Sequence, residues 1–185
     1  MRVLITGSEG QVGEKLIKQC IDDQICSLAL SKDQLDITDL SQISEILNEY
    51  RPSIIINAAA YTNVDSAEEY PEIAHSVNAQ GPKNLASLCS NQSILLFHIS
   101  TDYVFDGLKG KPYYEDDNPN PINVYGTSKL QGEENIKSLT DNYIILRTSW
   151  VFSDTGKNFM KTIMELSKKS EVLTIVGDQI GSPTS

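Results

Sequence analysis

The start of the chain constrains the fold most, because a short apolar run meets a cluster of glycines and then a helical pattern. Residues 2–6 are rich in Val, Leu and Ile, and residues 11–22 carry apolar side chains at helical intervals. Three glycines, Gly7, Gly10 and Gly13, occupy the junction. This order predicts a buried strand, a tight turn and a helix.

The spacing of the glycines, G-x-x-G-x-x-G, also indicates a site for a nucleotide. Gly7 would permit the turn, Gly10 would let a pyrophosphate approach the backbone, and Gly13 would let the helix pack on the strand. The helix would begin at Gln11 and Val12, where its amides and its dipole favour an anion. A tight strand–helix turn without a ligand would use the same glycines, so other segments must decide between the two interpretations.

The alternation of strand and helix patterns continues along the chain. It predicts a Rossmann-type α/β fold, in which a doubly wound parallel sheet carries helices on both faces. One domain, 1–185, accounts for the length, and no linker or repeat divides it. The predicted strands are 2–6, 25–31, 53–57, 93–100, 142–149 and 172–176, and the predicted helices are 11–22, 38–50, 71–91, 124–138 and 157–169.

The composition narrows the class of partner and the compartment. A net charge of −10 and a pI near 4.6 disfavour nucleic acid as a partner. No apolar stretch approaches the length of about 20 residues that a membrane span requires. Cys20, Cys26 and Cys89 are scattered and odd in number, so we expect reduced core thiols. These features together favour a cytoplasmic protein that has no membrane contact.

Residues that follow the predicted strands should line one crevice, because parallel strands end at the same edge of a sheet. After the second strand, Asp36 could accept a hydrogen bond from an adenine amino group, with Ile37 against the ring. Either Thr38 or Asp39 should cap the next helix. The second strand ends without an acid to hold ribose hydroxyls and has Lys32 beside it, which leaves NADP as well as NAD open. After the third strand come small or polar candidates for cofactor contacts: Ala58, Ala60, Tyr61 and Thr62.

A tyrosine and a lysine one helical turn apart are the strongest chemical signal. Tyr125 and Lys129 lie on one face of a predicted helix, where the ammonium should lower the pKa of the phenol and could hold a ribose. Surface helices often carry such a pair by chance. However, Thr101 follows the fourth strand on the expected crevice side and can donate to the same carbonyl oxygen as the tyrosine. The two histidines, His75 and His98, lack ligand spacing and are interpreted as ordinary core or surface residues.

These motifs together resemble the extended short-chain dehydrogenases and, within them, the dTDP-4-dehydrorhamnose reductase family. The resemblance rests on the glycine turn and on residues 57–60, 100–107, 123–129, 147–151 and 178–184. It implies reduction of dTDP-4-dehydro-L-rhamnose at C4 by NADH or NADPH. It also implies a smaller C-terminal lobe, absent from this sequence, that completes the substrate pocket. Some members form homodimers through a magnesium ion held by glutamates, but nothing in this sequence supports that metal site.

The resemblance also assigns roles to individual residues. Catalysis would depend on Thr101, Tyr125 and Lys129. The dTDP-sugar would contact Thr101, Asp102, Tyr103 and Trp150. The cofactor would contact the glycine turn, the two segments after the second and third strands, and the lysine, namely Gly7, Gly10, Gln11, Val12, Gly13, Asp36, Ile37, Ala58, Ala60, Tyr61, Thr62 and Lys129.

Related chemistries remain as alternatives. A sugar-nucleotide dehydratase needs an acid beside the catalytic Thr-Asp pair, and here Tyr103 occupies that place. A sugar-nucleotide epimerase, or another reductase, is not excluded by any single residue. A non-catalytic, NADP-binding regulatory subunit similar to that of methionine adenosyltransferase is the alternative from a different class. Retention of Trp150 and of residues 178–184 favours the enzyme.

Overall fold

The protein is built on a parallel sheet of five strands. The computed structural model describes residues 1–156, 158–170 and 172–185. The strands, all parallel, lie in the order β2-β1-β3-β4-β5, so successive strands are added on opposite sides of β1 and the strand order has a switch point between β1 and β3. Ligands of such sheets bind at this switch point, beyond the carboxyl ends of the strands. The strands are β1 Arg2–Thr6, β2 Cys26–Leu30, β3 Ile54–Asn57, β4 Leu95–Thr101 and β5 Tyr143–Thr148.

Helices connect the strands and cover the sheet. A π-helical segment, Ser76–Gln80, joins the fourth helix to the fifth, and a 3₁₀ turn, Asp102–Val104, follows β4. The α-helices are α1 Gln11–Asp22, α2 Leu40–Tyr50, α3 Val64–Glu69, α4 Pro71–His75, α5 Gly81–Gln92, α6 Val124–Leu139 and α7 Phe159–Leu166.

The two faces of the sheet carry separate cores, as a doubly wound fold requires. Alternate residues of each strand point to opposite faces. On one face Leu4, Ile55 and Leu96 pack under α2, α5 and α6, and on the other Val3 and Ile5 pack under α1. Each fully buried Leu or Ile contributes about 1.5–3 kcal/mol to folding. The predicted α/β class and its helices on both faces are therefore confirmed.

Several predicted elements differ from the structure. The sixth strand predicted at 172–176 is wrong, because this backbone pairs with no strand among the described residues. Val172 and Val176 are 83% and 66% exposed, and an apolar run forms a strand only where a neighbour accepts its hydrogen bonds. The helix predicted at 157–169 is shorter, since Asn158 caps α7 and Lys157 lies outside the described residues. The short helix α3 was not predicted.

The cysteines agree only in part with the prediction of core thiols. All three are free, and Cys20 and Cys89 are buried, but Cys26 is exposed near the start of β2. Burial raises the pKa of the Cys89 thiol to about 12, which makes it an inert apolar side chain. None of the helices in the described part of the chain has the length and apolar character to cross a membrane.

Candidate active site

The glycine-rich turn lies at the switch point and is fixed by close backbone packing. Gly7 has a φ of +69°, and a Cβ there would lie 2.7 Å from the amide nitrogen of Ala59, after β3. A Cβ at Gly13 would lie 2.2 Å from the carbonyl oxygen of Gly7. Both positions therefore exclude a side chain for reasons internal to the fold.

Gly10 differs from the other two glycines because the fold leaves space beside it. The nearest atom to a Cβ at Gly10 would be the Gly7 oxygen at 3.4 Å, an ordinary contact. Gly10 is also the N-cap of α1, and no side chain caps that helix. The first-turn amides of a helix have no acceptor inside the helix. This open backbone at a helix N-terminus fits the phosphates of a dinucleotide.

The loop after β5 reaches the same helix N-terminus. The Gln11 side-chain oxygen accepts a hydrogen bond from the Asn158 amide at 3.1 Å and from the Ser153 hydroxyl at 3.4 Å. Gly156 has a φ of +69°, and a Cβ there would lie 2.5 Å from the Gln11 side chain. Gln11 thus links the first and last strand ends, and Val12 beside it is partly buried.

The segment after β2 is shaped by a turn around Asp36. One Asp36 carboxylate oxygen accepts from the Thr38 amide at 2.9 Å and from the Thr38 hydroxyl at 2.8 Å. The bond from the Thr38 amide is the main cause that lowers the pKa of Asp36. Asp39 caps α2, which confirms one of the two predicted caps. Ile37 is buried in the core, with its side chain against Gly81, so only a small part of it is exposed for contact with an adenine ring.

Small residues after β3 bring this loop under the glycine turn. Ala58 and Ala59 contact Gly7, Ala60 is partly buried as they are, and Thr62 is exposed. Tyr61 is held at its backbone, because its amide donates to the Asn78 side-chain oxygen at 2.8 Å and its carbonyl accepts from the same side chain at 3.0 Å.

Asn78 is a positioning residue that sequence reasoning missed. It lies in the π-helical segment, and its amide group also donates to the Ser128 hydroxyl at 3.1 Å, beside Lys129. Such segments often occur at functional sites. The only sequence signal was a polar residue on an otherwise apolar helical face.

Tyr125 and Thr101 meet at the end of β4. The first turn of α6 packs directly on the 3₁₀ turn, where a Cβ at Gly126 would lie 2.2 Å from the Tyr103 carbonyl oxygen. The Tyr103 and Tyr125 rings meet edge to face with 5.5 Å between centroids. Burial raises the pKa of Tyr125, a hydrogen bond with Thr101 opposes this, and the nearby Asp102 adds to the increase. The prediction that Lys129 lowers this pKa is wrong for the arrangement in this structure, since burial dominates.

Lys129 is buried and reaches back into β4. Its side-chain nitrogen donates to the Ile99 carbonyl at 2.7 Å and lies 3.3 Å from Nε2 of His98. Burial lowers the pKa of Lys129 to about 8, and Glu133 opposes that decrease. His98 is fully buried, as the core interpretation predicted. Burial and the neighbouring lysine hold the pKa of His98 well below its usual value.

A row of polar side chains extends from His98 across the sheet. The register pairs Thr6 with Asn57 and Asn57 with His98, so the three side chains lie side by side on one face. Asn57 accepts from the Thr6 hydroxyl at 2.7 Å and contacts Nδ1 of His98 at 3.0 Å. Asn57 thus links the ends of β1, β3 and β4.

A buried ion pair anchors α6 beside the site. Glu133 has no exposed side-chain surface and accepts two bonds from the Arg147 guanidinium, at 2.9 and 2.6 Å. It also accepts from the Ser100 hydroxyl at 2.6 Å. Burial is the largest single effect and by itself would raise the pKa of Glu133. The bonds from Arg147 and Ser100, together with the charges of Arg147 and Lys137, outweigh it, so the pKa is lowered. The helix that carries Tyr125 is thereby fixed to both β4 and β5.

The remaining predicted substrate residues lie at the open side of the crevice. Asp102 is partly exposed and accepts from the Thr101 hydroxyl at 3.3 Å. Trp150 follows β5, is 46% exposed and has a φ of +47°. A Cβ at Gly181 would lie 2.9 Å from the indole, so residues near the end of the chain pack on it. No group of three or more His, Cys, Asp or Glu side chains within the described ranges is placed to hold a metal ion.

The strand order and the glycine turn at its switch point define a Rossmann-type domain. The family model described as the RmlD substrate binding domain matches residues 1–185. The chain is 46% identical to a dTDP-4-dehydrorhamnose reductase from Aggregatibacter actinomycetemcomitans, over 99% of the chain and 63% of that relative.

Two solved structures agree with this result. A dTDP-4-dehydrorhamnose reductase from Bacillus anthracis, in complex with NADP, superposes with a TM-score of 0.96 at 45% identity, over 99% of this chain and 65% of that one. A counterpart from Clostridium acetobutylicum gives 0.96 at 42% identity, over 100% and 65%. The chain belongs to the RmlD family of dTDP-4-dehydrorhamnose reductases, and it spans a little under two thirds of the length of these relatives.

Proposed function

We propose that this chain binds NADPH or NADH and carries the catalytic residues for reduction of dTDP-4-dehydro-L-rhamnose to dTDP-L-rhamnose. One observation carries the proposal above others. Thr101 and Tyr125 meet at the carboxyl end of β4, on the same edge of the parallel sheet as the glycine turn, with the buried Lys129 one helical turn further along α6. The names of the relatives supply the substrate, and the Bacillus anthracis complex supplies the type of cofactor.

The cofactor would lie along the edge of the sheet. Gly10 and the first turn of α1, including Gln11 and Val12, would bind the pyrophosphate, since this backbone has space for it. Asp36 and Ile37 would border the adenine. Residues 58–62 would pass beneath the rest of the molecule, and Lys129 would hold the ribose next to the nicotinamide. Bound NADPH or NADH supplies the hydride.

Tyr125 would act as the proton donor. A raised pKa keeps its phenol protonated at neutral pH, which is the form that an acid catalyst of reduction needs. Its hydroxyl would donate to the C4 oxygen of the sugar as negative charge develops there. Thr101 would donate to the same oxygen and hold it within reach. Asp102 and Trp150 would border the sugar nucleotide on the open side.

Tyr103 favours reduction over dehydration. A dehydratase removes water with the help of a carboxylic acid next to the catalytic Thr-Asp pair, and in this chain the phenol of Tyr103 occupies that place. Here the Tyr103 ring packs against Tyr125 and so contributes to its burial. The site therefore suits one proton transfer to an oxygen.

The test follows loss of NADPH or NADH absorbance with dTDP-4-dehydro-L-rhamnose. The full product of the gene and the 185-residue chain are compared, because the chain covers 63% of its relative. We expect turnover by the full product and cofactor binding by both. We expect little turnover by the chain alone, since catalysis needs the sugar held within about 3–3.5 Å of the hydride donor. Cofactor binding without turnover by the full product, together with capture of a stoichiometric partner enzyme, would instead support a regulatory subunit.

A further inference from the structure

The polar row Thr6–Asn57–His98 ends on Lys129, and the direction of its hydrogen bonds can be determined atom by atom. The Ala59 backbone amide lies 3.2 Å from the Asn57 side-chain oxygen, and an amide N–H can only donate. The Asn57 oxygen must therefore be the acceptor, and the Asn57 NH₂ group must be the one that faces His98.

The orientation of Asn57 determines the tautomer of His98. The Asn57 NH₂ group lies 3.0 Å from Nδ1 of the ring, so Nδ1 accepts and carries no proton. A neutral imidazole has one proton, which must then be on Nε2. Full burial of the ring favours this neutral form. The Nε2–H group lies 3.3 Å from the side-chain nitrogen of Lys129.

A protonated Lys129 would face this N–H group with another donor. An ammonium has three donors and no acceptor, whereas a neutral amine has a lone pair that can accept from Nε2–H. The Ile99 carbonyl, 2.7 Å away, accepts from either form of the lysine. The contact with His98 therefore discriminates between the two protonation states, while the contact with Ile99 does not.

We propose that His98, oriented by Asn57, is a positioning residue that favours the neutral form of Lys129 and so makes this lysine a better proton donor. The proposal rests on the proposed reductase function for its catalytic meaning. After Tyr125 has given its proton to the sugar oxygen, an N–H bond of the Lys129 ammonium breaks and an O–H bond forms on the phenolate. His98 keeps its own proton and donates a hydrogen bond to the resulting amine. Lys129 then takes a proton from the solvent: an N–H bond forms as an O–H bond of hydronium or water breaks, and water or hydroxide stays in the solvent.

Other charged groups near Lys129 act in known directions. Glu133, on α6 itself, favours the ammonium, but Arg147 of β5 and Lys137 partly neutralise it. From the 3₁₀ turn, Asp102 faces Tyr125. The neighbouring side chains from β1, β3 and the π-helical segment are neutral: Thr6, Asn57 and Asn78. His98 is therefore the group whose hydrogen-bond direction opposes a charge on Lys129.

The first experiment measures the tautomer of His98 in the 185-residue chain. Imidazole ¹⁵N chemical shifts distinguish a bare from a protonated ring nitrogen, and His75→Gln removes the signals of the other histidine. We expect a bare Nδ1 and a protonated Nε2. A proton on Nδ1 in the unmodified chain overturns the proposal, and this result depends on neither a destabilised variant nor enzyme activity.

The second experiment reverses the hydrogen-bond direction with Asn57→Asp. A carboxylate only accepts, so the proton of His98 should move to Nδ1 and leave Nε2 as an acceptor for Lys129. The side-chain NMR signal of Lys129, assigned by its loss in Lys129→Met, should then titrate about one pH unit or more higher. Thr6→Val is the matched control, since it removes a bond to the same Asn57 oxygen and leaves the direction unchanged. A higher titration midpoint without the change of tautomer would reflect only the added charge and would overturn the proposal.

Kinetics of the full gene product provide a separate test of the catalytic meaning. The alkaline limb of the pH profile of kcat should move upward in Asn57→Asp, by the same shift as the lysine signal. A limb that stays in place contradicts a role in proton delivery. Absence of turnover in the unmodified protein would refute the proposed function, while the tautomer would still decide whether His98 controls the protonation of Lys129.

Discussion

Replacement of Lys129 by methionine should stabilise the protein at neutral pH. The amine is buried, and folding lowers its pKa from 10.5 to about 8. At about pH 7 the lysine is charged in both the folded and the unfolded chain, so folding pays the full cost of burying it, about 3 kcal/mol by the shift in pKa. Methionine has a similar length and no charge, and its main loss is the bond to Ile99, about 1 kcal/mol. The net gain should be about 2 kcal/mol.

The pH dependence distinguishes this explanation from simple repacking. A lowered pKa in the folded state means that the unfolded chain binds more protons between pH 8 and 10.5, so the native chain gains stability as pH rises through that window. The advantage of Lys129→Met should therefore disappear by about pH 10.5. Urea unfolding followed by circular dichroism at both pH values measures it, with the exposed Lys83→Met as control. A variant that is less stable than the original at neutral pH, by an amount that does not change with pH, would refute the reasoning.

Three further variants test separate parts of the account. Gly10→Ala should change the free energy of unfolding by less than about 1 kcal/mol, yet weaken NADPH binding about tenfold or more. Gly13→Ala should lower the free energy of unfolding by more than about 2 kcal/mol, because a Cβ there would lie 2.2 Å from the Gly7 oxygen. Equal effects of the two variants in unfolding and titration assays would contradict this. Glu133→Gln should lower the free energy of unfolding by about 3 kcal/mol at neutral pH. Because the pKa of Glu133 in the folded chain lies below 4.5, the difference in stability between variant and original should shrink as pH falls below that value. A difference that stays constant in acid would argue against the ion pair. If Lys32 faces the ribose phosphate, Lys32→Glu should weaken the binding of NADPH about tenfold relative to that of NADH. Unchanged relative affinities for NADPH and NADH in fluorescence titrations would place Lys32 away from that phosphate.

The sequence predicted those parts of the fold that depend on local patterns. Strand β1, the turn at Gly7 and helix α1 agree with the prediction to the residue, because a buried apolar run, a glycine and a helical period all act within a few residues. The sixth strand failed because pairing depends on a distant neighbour. Residues 172–176 have the apolar composition of a strand, but no described strand accepts their hydrogen bonds.

The residues of the candidate site were predicted individually, but the contacts between them were not. Tyr125 and Lys129 could be paired from their spacing on one helix. The contact of Lys129 with His98 depends on which face of β4 carries the histidine and on the register that aligns it with Asn57. No short motif encodes that alignment. The increase in the pKa of Tyr125 could not be predicted either, because burial is a property of the packed fold.

The most direct test of the central claim is the oxidation of NADPH and NADH by the full gene product with dTDP-4-dehydro-L-rhamnose, measured for the original protein and for Tyr125→Phe. The exposed Tyr70→Phe is the matched control. The account predicts turnover by the original and the control, and a loss of about a hundredfold to ten-thousandfold in kcat for Tyr125→Phe with cofactor binding retained. Undiminished turnover in Tyr125→Phe, or no turnover by the original protein with either cofactor, would contradict it.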